Sequence, residues 1–371
     1  MAQERELARV IAARSTLAPA APTPGFSQVT SLTDEEVAFF VEHGYLIKKS
    51  FMDPALCAAA RDVLWAGNRS SRLKRGEPET WHGPFDKADE NDDEPGMRFV
   101  NGRTGNRWHL GSCGGEQAIM DALPRAVLPL IEQLLGAGSV ALPAPAGELP
   151  QLGERVWMPK WSRGIYCTLP GSPPRPPGAN GCHTDSHPLH IGAVGYIDDV
   201  LPNGGGIRVW DGSHRVFYPT FEFQYSQRRP EGRWSGQWTK ELGSDQYKVA
   251  LEAVRSAEPV DAHGPVGTVV FWHGRVGHDA GPNYQPVGGK IRQAILYDFS
   301  REDMDAMDTN PPSQSMWRDW SPQVQAIAAR NGHDAIPIGD PLYKRTDKAG
   351  GPSTQLLLRA LERGGKPQQK L

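Results

Sequence analysis

No apolar run in the sequence is long enough to cross a bilayer, which takes roughly 20 consecutive apolar residues. The best stretch, Ala126 to Leu135, is short and carries Pro129 and Glu132. The N-terminal segment MAQERELARVIAARSTLAPAAPTPG has acids early and no apolar h-region, so it does not read as a signal peptide. Cysteine is scarce: Cys57, Cys113, Cys167 and Cys182 show no CxxC pairing. Scarce, unpaired cysteines without a secretory signal imply reduced, mostly buried thiols in a cytoplasmic protein. Charge of one sign is also lacking, with 40 Lys and Arg against 43 Asp and Glu. That balance gives no electrostatic reason to expect a nucleic-acid or anionic-membrane partner. No internal repeat is visible.

What is plentiful is punctuation. The 371 residues include 41 glycines and 33 prolines, so loops and turns should be many. The length suits one large domain with additions or two modest ones. The pattern divides into a leader over 1–30, a main domain over 31–305, and a C-terminal helical extension and tail over 306–371 whose last eight or so residues read as disordered. Thr33 followed by Glu36 is a capping box, so a helix should begin there and stop at Gly44. Tyr45 to Lys48 read as a strand, Asp53 to Trp65 as a second helix, and Pro124 to Leu135 as a third. Residues 66–120 otherwise read as polar loops. From Val156 onward come short β-type runs: VWMPKW, GIYCTL, HIGAVGYI, GIRVW, GTVVFW and RQAILYDF. Short strands in this number, without intervening helices, argue for a mainly β antiparallel sandwich or barrel with flanking helices. Ser321 and Pro322 mark one more helix start.

Eleven histidines are present, and one lies in a His-x-Asp triplet, His183-Thr184-Asp185. Residues i and i+2 on extended backbone point to one face, so both side chains can face a barrel interior. A second histidine is offered by GTVVFWHGRVGHDAGPN, where His278 follows a strand in a turn-rich segment. Two histidines and one carboxylate form the facial triad of non-haem Fe(II) oxygenases, with positions left open for a 2-oxo acid and O2. Zinc accepts the same ligands, so the triad alone does not fix the metal. Arg292 decides for 2-oxoglutarate. It lies fourteen residues after His278 on the returning strand, where a guanidinium can grip a distal carboxylate.

The chain resembles the phytanoyl-CoA dioxygenase (PhyH-like) family over roughly residues 30 to 300. LTDEEVAFFVEHGYLIKKSFMDP resembles the family's opening, HTDSH its first metal motif, NGGGIRVWDGSH its following "PGSH" segment, and GTVVFWHGRVGHDAGPN with Arg292 its closing motif. The resemblance implies a double-stranded β-helix (jelly-roll, cupin-like) core, Fe(II), 2-oxoglutarate and O2, with succinate and CO2 as co-products. Three departures stand out. DGSH replaces PGSH, the turn before Arg292 is longer than usual, and Ala280 stands where many relatives carry Ser. Asp185 is retained, which argues against the superfamily's halogenases.

Other residues have two readings each. His187 and His190 read as loop groups, or as groups that brace the ligands from behind, rather than as ligands. His214 is a structural hydrogen-bonding group, and His273 is a rival to His278 as ligand. Thr168 either donates its hydroxyl to 2-oxoglutarate or is a plain strand threonine. Met97 to Trp108 is a cationic loop in which Arg98, Arg103 and Arg107 either meet an anionic substrate or are merely solvated. Trp210 is a further candidate substrate contact. The aromatic segment 216–250 either caps the pocket or packs as a satellite core. The expected activity is hydroxylation of a C–H bond in a small polar metabolite or natural-product intermediate. Desaturation, ring closure and demethylation are alternatives on the same site, and a non-catalytic ligand-binding jelly roll or a zinc cupin enzyme is the alternative from another class. Oligomeric state is not legible.

Overall fold

A computed structural model describes residues 25–68, 70, 72–82, 97–100 (backbone), 107–145, 161–174, 180–185, 188–221, 224–225, 245–304 and 313–333. Residues 1–24 of the leader, VWMPKW up to residue 160 and the chain's last residues lie outside these. The opening follows its caps. Helix α1 (Asp34–His43) starts at Thr33, whose hydroxyl accepts from the Glu36 amide while the Glu36 carboxylate accepts from the Thr33 amide. It ends at Gly44 in the left-handed conformation, φ 79°. Strand β1 (Tyr45–Lys48) and helix α2 (Pro54–Ala66), capped by Asp53, follow.

Two expectations are corrected here. The segment read as polar loop holds strands β2 (Met97–Val100) and β3 (Arg107–Leu110), paired antiparallel with Met97 opposite Leu110 and Val100 opposite Arg107. Trp108 and Leu110 are buried between polar neighbours, an alternation that the polar composition disguises. The third helix starts earlier than Pro124. A short helix α3 (Gln117–Met120) runs through a π turn (Asp121–Arg125) into α4 (Ala126–Leu135). Pro124 has no N–H to donate, and the wider turn accommodates it. The buried Asp121–Arg125 pair, 2.5 Å apart, spans that turn.

The remaining strands are β4 (Ile165–Thr168), β5 (Ile191–Tyr196), β6 (Ile207–Val209), β7 (Val260–Ala262), β8 (Val269–His273), β9 (His278–Ala280) and β10 (Arg292–Phe299). They form a seven-stranded sheet ordered β1-β8-β5-β10-β4-β3-β2 and a three-stranded sheet ordered β7-β6-β9, with every pairing antiparallel. This is a jelly-roll core. The period of two sorts the large sheet's side chains. Trp108, Cys167, Ala193, Phe271, Ile295, Tyr297 and Phe299 face the main core with α1, α2, α4 and helix α7 (Pro322–Arg330), which starts at Ser321 as expected. Val194, Tyr196, Val270 and Ala294 face the small sheet, where Ile207, Val209 and Ala262 meet them. The functional residues lie between the sheets.

Short helix α5 (Ser213–Phe217) and helix α6 (Asp245–Arg255) pack on the outside of the small sheet. All four cysteines are buried and unbridged. No helix among the described residues is long and apolar enough to cross a membrane.

Candidate metal centre

His183 sits in an extended segment bridged to β9. Its amide donates to the His278 carbonyl at 3.1 Å, and the His278 amide donates back at 2.9 Å. This reciprocal pairing sets the two imidazoles side by side, with ring centroids 4.6 Å apart. Asp185, two residues on, points to the same side, and its Oδ2 lies 3.5 Å from His278 Nε2. The three residues each offer a ligand atom, and these atoms all lie within 4.8 Å of one another. No other group of three His, Cys, Asp or Glu side chains among the described residues does so.

Both rings are oriented by carbonyls. His183 Nδ1 is 2.7 Å from the Gly181 oxygen, and His278 Nδ1 is 2.9 Å from the Val276 oxygen. A carbonyl only accepts, so Nδ1 carries the proton in each and Nε2 presents its lone pair to a cation. Burial, and then the neighbouring His278, lower the His183 pKa to about 4, so that ring is neutral near pH 7. Asp279 ties the two ligand strands together. It accepts from Arg208 at 2.8 and 2.5 Å and from the Gly181 amide at 2.8 Å. The Trp272 indole lies 5.0 Å from the His278 ring and forms one wall.

Arg292 opens β10, directly across from Thr168 on β4. Its Nε donates to the Gly205 carbonyl at 2.8 Å and its Nη1 to the Tyr166 carbonyl at 2.9 Å. Gly205 reaches this position because its φ is +86°, and a Cβ there would come within 2.9 Å of Thr168 Cβ. No carboxylate among the described residues balances the buried guanidinium, and burial presses its pKa down. The Thr168 hydroxyl beside it is buried with no hydrogen-bond partner among the described residues. An uncompensated cation next to an orphaned hydroxyl fits a carboxylate ligand, and two imidazoles with one carboxylate fit a divalent first-row metal.

The triad and Arg292 border one cavity of about 500 Å³, together with Arg107, His109 and the Arg163–Asp298 ion pair. The Arg107 guanidinium donates to the Ala280 carbonyl at 3.3 Å, and the His109 and Tyr166 rings lie with centroids 4.0 Å apart, tilted by 40°. The backbone of Arg98 lies in β2, opposite His109, while Arg103 and His187 fall outside the described residues. The structure does not bring Trp210 to the cavity. Its indole donates to the Ala257 carbonyl at 3.0 Å within a satellite cluster that also holds Phe217 and Phe221. His190, His214 and His273 lie away from the metal centre, on the buried side that carries Trp317 and Trp320. The sequence reading did not find Asp279, Arg163 or Asp298. Alternation along RQAILYDF places Asp298 on the same side as Arg292 and could have flagged it.

A jelly roll with a two-histidine, one-carboxylate cluster and a buried arginine defines a non-haem metal oxygenase. The model of the phytanoyl-CoA dioxygenase (PhyH) family matches residues 40–292, more than half of the chain. The chain belongs to that family, and it is a non-haem Fe(II)- and 2-oxoglutarate-dependent dioxygenase. No curated protein matches it. Among solved structures it is similar to the epimerase SnoN in complex with Fe3+, alpha ketoglutarate and nogalamycin RO, with TM-score 0.39 and 14% identity over 72% of this chain and 82% of that one. It is similar to the alpha ketoglutarate dependent carbocyclase SnoK from nogalamycin biosynthesis, with TM-score 0.37 and 16% identity over 80% and 98%. A third is AviO1 from Streptomyces viridochromogenes Tue57, with TM-score 0.38 and 15% identity over 75% and 98%. At these TM-scores the likenesses carry no argument about substrate or outcome.

Proposed function

We propose that this enzyme hydroxylates a C–H bond of a small polar metabolite or natural-product intermediate, with His183, Asp185 and His278 as iron ligands. Arg292 and Thr168 bind the distal carboxylate of 2-oxoglutarate. Bound iron and 2-oxoglutarate supply the oxidative decarboxylation that releases succinate and CO2. The residues orient and exclude. The carbonyls of Gly181 and Val276 hold the ligand imidazoles in the metal-binding tautomer. The Gly205 and Tyr166 carbonyls hold the guanidinium in place before any ligand arrives, so little ordering is left for binding to supply. Trp272, Val194 and Leu296 form an apolar wall that limits water around the metal.

The observation that carries the substrate class is the cavity itself. Its volume of about 500 Å³ is in the small-molecule range, and its lining mixes Arg107, His109, Arg163 and Asp298 with that apolar wall. The test is a panel of small polar metabolites and natural-product intermediates incubated with Fe(II), 2-oxoglutarate and O2. A compound that stimulates succinate release and gains one oxygen supports the proposal. A stimulating compound that loses two hydrogens instead would move the reading to desaturation or ring closure. Stimulation confined to long acyl thioesters would overturn the substrate class.

A further inference from the structure

The segment carrying His183 and Asp185 is extended, so its side chains alternate. Gly181, His183 and Asp185 border the cavity. The even-numbered residues face α6, and each is tied to it. The Asn180 side-chain amide donates to the Arg255 carbonyl at 3.0 Å. The Cys182 carbonyl accepts from Arg255 Nε at 3.2 Å and Nη2 at 2.8 Å. The Thr184 amide donates to the Tyr247 hydroxyl at 3.1 Å, and Thr184 Oγ1 lies 2.9 Å from the same oxygen.

The second ligand strand is backed by the same helix. A Cβ on Gly277, the residue before His278, would come within 2.9 Å of Cys182 Sγ, 3.1 Å of Phe217 and 3.4 Å of Val254 on α6. Glycine lets the His278 backbone press against Cys182 and Phe217, with Val254 of α6 in ordinary contact behind them. Tyr247, Ala250 and Val254 are buried at helical spacing and form the face that makes this contact. Burial raises the Tyr247 pKa, so the phenol keeps its proton and can accept from the amide while donating to the Thr184 hydroxyl.

We infer that α6 is a positioning element for the metal centre, and that the Tyr247 hydroxyl, by fixing Thr184, sets the spread of His183 and Asp185. Tyr247 touches neither metal nor substrate; it acts through the loop. The inference rests on the ligand assignment proposed above. Groups that orient metal ligands typically cost about 10- to 100-fold in metal affinity when removed.

The test is anaerobic Fe(II) titration of metal-free protein against a competing chelator, in wild type, Tyr247→Phe, Thr184→Val and the double variant. The spectrum of the Co(II)-loaded forms reports ligand geometry. Tyr247→Phe keeps the ring in its cluster and removes only the hydroxyl. Its Fe(II) dissociation constant should rise about 10- to 100-fold, and its Co(II) ligand-field bands should shift, while the thermal midpoint of the metal-free protein moves little. Thr184→Val removes the Oγ1 contact from the loop side and leaves the amide contact, so it should reproduce part of the loss. The double variant should be little worse than Tyr247→Phe alone, since that substitution already removes both contacts to residue 184. Thr184→Ser, which keeps a hydroxyl, should restore binding. Wild-type Fe(II) affinity and an unchanged Co(II) spectrum in Tyr247→Phe would overturn the inference. If Tyr247→Phe does not fold, wild-type affinity in Thr184→Val overturns it. A wild type whose Fe(II) affinity is indifferent to His183→Ala would instead overturn the ligand assignment and this inference with it.

Discussion

Arg292→Ala should cut 2-oxoglutarate binding far more than iron binding. The guanidinium is 5% exposed, and two of its donors already hold the Gly205 and Tyr166 carbonyls. The remaining donors can meet a carboxylate without reorganisation. Losing one partner of a buried, hydrogen-bonded charge pair costs about 2–5 kcal/mol. At about 1.4 kcal/mol per tenfold, that is roughly 30- to 4000-fold in the dissociation constant. Arg292→Lys keeps a point charge but loses the planar fork, so its loss should be smaller and still clear. The assay is anaerobic: protein loaded with Fe(II) is titrated with 2-oxoglutarate while the visible metal-to-ligand charge-transfer band is followed. The variant must first take up Fe(II) as the wild type does, because Arg292 contributes no atom to the triad. Its metal-free form should be less stable, since two buried carbonyls lose a donor at about 1–3 kcal/mol each. An Arg292→Ala protein that takes up Fe(II) and gives the band at the wild-type 2-oxoglutarate concentration would refute the clamp.

Further outcomes follow from the same geometry. Asp185→Ala removes the one carboxylate of the triad and should abolish stoichiometric Fe(II) retention after gel filtration, with the far-UV circular dichroism unchanged. Thr168→Val replaces an orphaned buried hydroxyl with a methyl. It should leave stability unchanged or higher, and it should weaken 2-oxoglutarate by the worth of one hydrogen bond to a charged group, about 1.5–3 kcal/mol, in the same titration. Acid should destabilise the fold before its carboxylates protonate. Burial, then Arg301, lowers the His190 pKa to about 3, and burial holds His214 and His273 well below their usual range. The unfolded chain binds these protons below about pH 6.5 and the folded chain does not, so stability is complete above that pH and falls between about 6.5 and 3. Urea midpoints of the metal-free protein should therefore drop from pH 7 to pH 5, and equal midpoints would contradict the buried neutral histidines.

The parts of this fold that local rules control were legible. Thr33 with Glu36, Gly44, Asp53 and Ser321 mark helix ends through bonds made within a few residues, and the structure has each of them. RQAILYDF was legible because both faces of β10 are buried, which gives a near-continuous apolar run. The His183, Asp185 and His278 cluster was legible too, since two of its members lie within one triplet and the third follows a strand in a motif-bearing segment. What sequence could not supply were residues whose roles come from tertiary neighbours. Asp279 reads as an ordinary turn residue until Arg208 and the Gly181 amide arrive from other strands. Trp210 reads as a pocket aromatic, yet the outer packing of α6 claims it. Helix α6 was hidden because its first half falls inside the aromatic segment 216–250, whose composition masks the helical spacing of Tyr247, Ala250 and Val254.

Under the proposed assignment, strand β10 keeps the two charged ends of the cavity apart. Arg292, Leu296 and Asp298 all border the cavity. Arg292 and Asp298 stand six residue steps apart on the extended strand, or roughly 20 Å at about 3.4 Å per residue. The charge at the first end is uncompensated, whereas Asp298 at the other is paired with Arg163. The proposed assignment then expects an anionic co-substrate at the uncompensated end, because neutralising a buried lone cation gains more than competing with a formed ion pair. The Arg163–Asp298 end offers paired donors and acceptors, suited to a polar substrate that brings both. Asp298→Asn should therefore leave the 2-oxoglutarate titration at its wild-type midpoint. It should still cost roughly 1.5–3 kcal/mol of stability, because Arg163 loses a charged partner. If instead Asp298→Asn shifts the 2-oxoglutarate midpoint as far as Arg292→Ala does, the two ends are not separate sites and this division of the cavity fails.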